Sequence, residues 1–142
     1  MAATDLNSVR STIEGRLKDE LEGGTPPIPV VFPNVPYTPT PNSSWCQCSF
    51  SYSSSSYETQ GGTSSSSNMI TGITSVNIFT PKGIGAGDNY VIGKRVRDLY
   101  NRINISGVYF DAPIGPEVMS NPSPEGYFQT QVRITFEVTE DL

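Results

Sequence analysis

At 142 residues the chain is long enough for one domain with a real core and too short for two of ordinary size. Hydrophobic residues make up 35% and charged residues 16%; Ser, Gly, Pro, Thr and Asn fill the deficit of charge, which favours strands and long loops over a helical bundle. A net charge of −5 is too small for an acidic tail, and no apolar run approaches the roughly 18 residues of a membrane span.

The first element is a helix. Asp5 is placed to cap it, and Leu6, Val9, Ile13, Leu17 and Leu21 recur at three- and four-residue steps to make one apolar stripe. Arg10, Glu14 and Lys18 fall along the opposite face at four-residue spacing. This polar opening reads as a helix and not as an export signal, so the formal sequons at Asn42 and Asn104 read as coincidence. Gly23-Gly24 and Pro26-Pro27 stop the helix, and Val30-Val31-Phe32 reads as a short strand.

Residues 33–41 carry proline on a rhythm that favours an extended, hydrogen-bond-poor arm, either a stiff connection or a ligand for an aromatic groove. Trp45 to Tyr52 alternates, with Cys46, Cys48, Phe50 and Tyr52 on one side and Ser49 and Ser51 on the other: a half-buried strand. Residues 53–68 are Ser- and Gly-rich and read as a long flexible loop between strands. Met69 to Phe79 reads as a strand with an irregularity at Gly72.

A glycine-punctuated turn, Thr80 to Gly87, then leads into a second helix from Asp88 to about Arg102, with Ile92, Val96, Leu99 and Ile103 facing inward. Ile105 to Phe110 is a shorter strand. In the last strand Phe128, Thr130, Val132, Ile134, Phe136 and Val138 face one way, and Tyr127, Gln129, Gln131, Arg133, Thr135 and Glu137 the other. The long stretch from Pro113 to Gly126 reads as a connection. The order α-β-β-β-α-β-β implies one α+β domain over residues 1–142, a mostly antiparallel sheet of about five strands with both helices on one face.

Enzyme chemistry finds little footing. The glycines at 83, 85 and 87 lack the offset of a dinucleotide fingerprint, and Gly93-Lys94 is followed by Arg95 and lies inside the second helix, not in a phosphate loop. A helix N-terminus attracts anions, but Asp88 at the cap would satisfy those donors itself. Histidine is absent, which removes the commonest general base and catalytic metal ligand. Cys46 and Cys48 point the same way from one strand, so they neither pair readily nor close a zinc site alone. The expectation is no catalysis, no cofactor and no metal.

Charge is segregated. Lys82, Lys94, Arg95, Arg97 and Arg102 cluster in the turn and second helix, whereas Asp111, Glu117, Glu125, Glu137, Glu140 and Asp141 oppose Arg133 alone after residue 110. One reading is a solvated face. Another is a head-to-tail contact, the basic part of one copy meeting the acidic part of the next, which can close into a ring.

The opening helix Val9–Leu17, the segment Pro29-Val-Val-Phe-Pro-Asn-Val-Pro-Tyr-Thr-Pro39, the run Val76-Asn-Ile-Phe-Thr-Pro-Lys-Gly-Ile-Gly-Ala-Gly87 and the alternating final strand stand in an order that resembles the tail-terminator proteins of long-tailed bacteriophages, the lambda gpU-like group. The Ser-rich 53–68 stretch departs from that pattern by its length. The resemblance implies a non-enzymatic homohexameric ring in the virion, at the head–tail junction and made in the host cytoplasm. Such a ring caps the tail tube, stops its polymerisation and joins the tail to the neck. Its partners would be its own copies, the tube protein and a neck protein, with DNA passing through the bore unread and no membrane. Candidate interface residues are Val35, Pro36 and Tyr37 in the arm, Lys94, Arg95, Arg97 and Arg102 on the basic side, and Glu117 and Glu125 on the acidic side. Alternatives are another neck, head-completion or tube protein, or a monomeric ligand-binding module whose Pro and Ser loops form its surface.

Overall fold

A computed structural model describes residues 5–24, 27–36, 38, 43–57, 67–83, 85–105, 107–119 and 127–141, with the backbone alone at 54–57, 67 and 140–141. Helix α1 spans Leu6–Glu22 and begins where the capping signal puts it: the Asp5 carboxylate accepts the Asn7 and Ser8 amides at 2.9 and 3.3 Å. The Ser8 hydroxyl adds a bond at 2.9 Å, and with those amides it holds the Asp5 carboxyl below its usual range. Val9, Ile13, Leu17 and Leu21 are buried, as their spacing requires. Glu14 is buried too, against the expectation of a solvated face. It follows Ile13 by one residue, so it borders the apolar stripe, and Arg10 Nη1 neutralises it at 2.6 Å.

Among the described residues seven strands, and not the about five expected, form one sheet: β1 (Val30–Val31), β2 (Trp45–Tyr57), β3 (Ser67–Pro81), β4 (Asn104–Ile105), β5 (Val108–Phe110), β6 (Ile114–Val118) and β7 (Tyr127–Asp141). Their order is β1-β2-β3-β7-β5-β4, with β6 also on β7. Only β1 on β2 is parallel. The fold is α+β, as expected, but three boundaries move. The Ser-rich segment is strand as far as Tyr57 and again from Ser67, because its backbone groups pair with a β3 that is already held by β7. Residues 58–66 of that expected loop lie outside the described residues. The strand expected over 105–110 is a tight hairpin, β4 to β5, turned at Gly107 with φ +84°. The connection expected from Pro113 contains β6, whose Gly115 and Pro116 hide a strand that pairs with β7 through an irregular register; residues 120–126 lie outside the described residues.

Alternation sorts the sheet into two faces. Cys46, Cys48, Val76, Ile78, Val132, Ile134, Phe136 and Val138 point to the inner face and pack under both helices as the main core. Gly72 leaves room there for the Phe136 ring, which a methyl group at that position would meet. On the outer face Trp45 stacks on Phe79 at 4.3 Å, and Tyr127 meets both edge-on, with Val31 completing a small second cluster.

Helix α2 spans Gly87–Tyr100. Its N-cap is Ala86 and no side chain caps it, so Asp88 sits in the first turn and not at the cap as expected. It stops short of Arg102, where the backbone turns to φ +52°. Its inward residues are Asn89, Ile92, Gly93, Val96 and Tyr100, with Leu99 and Ile103 only half-buried. Asn89 is the hub. Its Oδ1 accepts the Thr80 hydroxyl at 2.6 Å, and its Nδ2 reaches Ile78 O, Phe128 O and Thr130 Oγ1 at 3.2 to 3.3 Å. One buried amide thus fixes the start of α2 to both β3 and β7. At the other end the Tyr100 hydroxyl donates to Ile13 O at 2.6 Å, tying α2 to α1.

Asn89→Ala strips partners from two buried threonine hydroxyls, Thr80 and Thr130, and is expected to cost about 2–3 kcal/mol. Equilibrium urea unfolding measures this; a variant as stable as the parent would remove Asn89 as the hub. Gly93→Ala pushes a methyl into Pro116 of β6 and is expected to cost about 1–3 kcal/mol in the same assay.

Candidate subunit interface

The residues singled out by charge do not form one surface. Arg95 turns inward: Nη2 donates to Glu20 O at 2.7 Å and to Glu20 Oε2 at 3.1 Å, clamping α2 to the end of α1. Arg97 Nη1 donates to Pro113 O and Gly115 O, both at 2.7 Å, and holds β6 against the helix. Lys94 is exposed and paired with Asp98 at 2.7 Å, one helical turn on. Glu117 is paired with Arg133 at 2.7 Å across β6 and β7. Arg102 is exposed at the turn after α2. Lys94, Arg95 and Glu117 thus have ion-pair partners within the chain and Arg97 has carbonyls, so these four are not free charges awaiting another copy. Val35 and Pro36 are exposed just after β1, Val35 to 56%. Tyr37 and Glu125 lie outside the described residues.

The glycine turn is a matter of backbone conformation, since a Cβ at Gly83, Gly85 or Gly87 would meet nothing within 4 Å. Gly83 and Gly85 have φ of +94° and +88°, values that favour glycine, and they swing the chain from β3 into α2. Under the turn lies a hollow of about 210 Å³ lined by Lys82, Gly83, Gly85, Ala86 and Phe128. Its one charged side chain is that lysine. Among the described residues no cluster of His, Cys, Asp and Glu is placed to hold a metal ion. No described helix is long and apolar enough to cross a membrane.

Three features that charge patterning missed are surface geometry. Half of the outer sheet face is bare: Ser49, Ser51 and Arg133 are exposed on it, together with Ile73, Tyr109 and Ile114 at 40 to 55%. The registers place Ile73 beside Thr135 on β7, with Tyr109 and Ile114 flanking that row on the far side. A second exposed apolar group surrounds the start of α2. Gly93 packs on Pro116, so one turn earlier on the helix and two residues later on β6 come Tyr90 and Val118, while Val91 is exposed on the helix side away from the sheet. The third feature is the flank of β2 beyond β1, where no described strand pairs with it. Outward apolar residues on an otherwise polar strand face are the sequence signal for the first; the other two depend on how β6 and β1 dock, which no local pattern encodes.

The sequence matches no family model and no curated protein. Twelve chains of solved structures match its fold. One of them superposes with a TM-score of 0.71 at 15% identity, covering 96% of this chain and 96% of that one. At that identity the likeness establishes a shared architecture from end to end and nothing about activity.

Cys46 and Cys48 are free and buried in the core, and burial pushes both thiols up, Cys48 to about 12. Tyr100 is raised by the same cause. A group whose folded pKa is raised stabilises the fold below its unfolded value and stops doing so as pH climbs to the folded one. The urea midpoint is therefore expected to hold to about pH 8.5, the unfolded thiol value, and to fall steadily from there towards pH 12. Thiol reagents at pH 8 are expected to leave both cysteines unmodified until denaturant is added. Rapid labelling of the folded protein would contradict that burial.

Proposed function

We propose that this chain is a structural protein of a phage tail and works as a tail terminator: identical copies close into a six-membered ring that caps the tube, stops its growth and presents the surface joined to the neck. The observation that carries this reading is the bare half of the outer sheet face, with Ile73, Tyr109 and Ile114 exposed together on a domain this small. Ile73 stands across Thr135 of β7 from Tyr109 and Ile114, and exposed apolar side chains grouped on one sheet face mark a surface that another molecule covers. The order of sequence elements that resembles the tail terminators supplies the identity of the assembly.

The mechanism is one of matching faces. A tube grows because each ring offers its successor the same complementary surface. A terminator fits the last ring with one face while its other face fails to copy the tube's. DNA must slide through the bore, and a wall with few free cations lets it pass. Lys94, Arg95, Arg97 and Arg133 are all partnered within the chain, which supports that requirement. The chain then resides in the virion at the head–tail junction after synthesis in the host cytoplasm, with copies of itself, the tube protein and a neck protein as neighbours.

Electron microscopy of the purified protein is expected to show six-fold rings, and particles lacking it are expected to carry tails of uncontrolled length. A protein that stays single at every concentration, or that lies elsewhere in the particle, refutes the reading.

A further inference from the structure

Two small surfaces of unlike charge lie on opposite sides of the sheet. The first is on the outer face, along the flank of β7. The Asp111 amide donates to Thr135 O at 3.0 Å, so Asp111 continues the line of β5. Alternation turns its side chain outward with Tyr109, while Val108 and Phe110 are buried. Tyr109 stands beside Glu137 and Ile114 beside Arg133, which puts Asp111 between them at the level of Thr135. An exposed carboxylate is thus flanked by two exposed apolar side chains. Arg133 is taken by Glu117, and no ion pair among the described residues includes Asp111 or Glu137. The charge of this surface is negative.

The second is on the helix side, at the start of α2, around the hollow that Lys82, Ala86 and Phe128 line. The Tyr90 amide donates to Ala86 O, so Tyr90 stands one turn beyond that wall. Val118 pairs with Thr130, which follows Phe128 on the same face of β7. Tyr90 and Val118, both exposed, therefore flank the hollow. Lys82 at its rim is exposed, and no ion pair among the described residues includes it. Asp88 is turned about 160° from Tyr90 around the helix axis and faces away from this surface. One side of the molecule thus offers a carboxylate between two protruding apolar groups, and the other a cation at a hollow between two more.

We propose that the outer flank of one copy, Tyr109, Asp111 and Ile114, docks on the start of α2 of the next, with Asp111 facing Lys82 and the apolar side chains gathered at the hollow. This rests on the ring reading and names the surfaces that meet. Because they differ and lie on opposite sides of the sheet, the contact is head to tail, the kind from which rings are built. Apolar burial supplies the affinity, and the opposed charges fix the register.

Charge reversal with complementation tests it. Asp111→Lys and Lys82→Glu each alter an exposed side chain, so both are expected to unfold at the parent's urea midpoint. Either one alone sets like charges together at every junction and is expected to associate at least roughly tenfold more weakly in sedimentation. Mixed in equal amounts, the two variants are expected to regain the parent's assembly, alternating around the ring, since each then meets the opposite charge. Single variants that assemble as tightly as the parent, or a mixture no better than its components, overturn this contact and leave the ring reading intact, with the outer face given over to the tube or neck protein. A protein single at all concentrations overturns both.

Discussion

The pairing of β3 with β7 is the constraint on which everything else depends. It runs unbroken from Ser67↔Asp141 to Pro81↔Tyr127 and fixes which side chains face the helices. Side chains alternate with a period of two, so a slip of one residue would carry Val132, Ile134 and Phe136 to the outer face and bring Arg133, Thr135 and Glu137 under the helices. Burying that arginine and glutamate without water would cost far more than any register could return. The alternation on β7 therefore sets the register, and the register creates the two acceptors, Ile78 O and Phe128 O, that Asn89 bridges. Helix α2 is placed by that bridge, and α1 is placed by α2 through Tyr100, Arg95 and Arg16, whose Nε donates to Leu99 O.

That hierarchy explains what the sequence discloses and what it withholds. The stripe of α1, the alternation of β2 and β7 and the glycine turn are local patterns, and each is found where its spacing puts it. Strand β6 is not a local pattern. Ile114-Gly-Pro-Glu-Val118 has a turn's composition and becomes a strand only because β7 offers an edge and Arg97 takes the carbonyls that proline leaves out of register. The ends of β2 and β3 are likewise made by tertiary pairing, since serine has little preference of its own for a strand. Asn89 reads as a polar residue on an amphipathic helix, and nothing in its neighbours announces three buried acceptors.

Charge misled in a related way. A run such as Lys94-Arg95-Val96-Arg97 looks like a patch when written in a line. On a helix its members fan through about 100° per residue, and here each meets a different environment: Asp98, the end of α1, and the carbonyls of β6. The exposed apolar side chains Ile73, Tyr109 and Ile114 are a different kind of signal, which charge patterning does not weigh. The candidate surface was illegible for that reason, although the fold was largely legible.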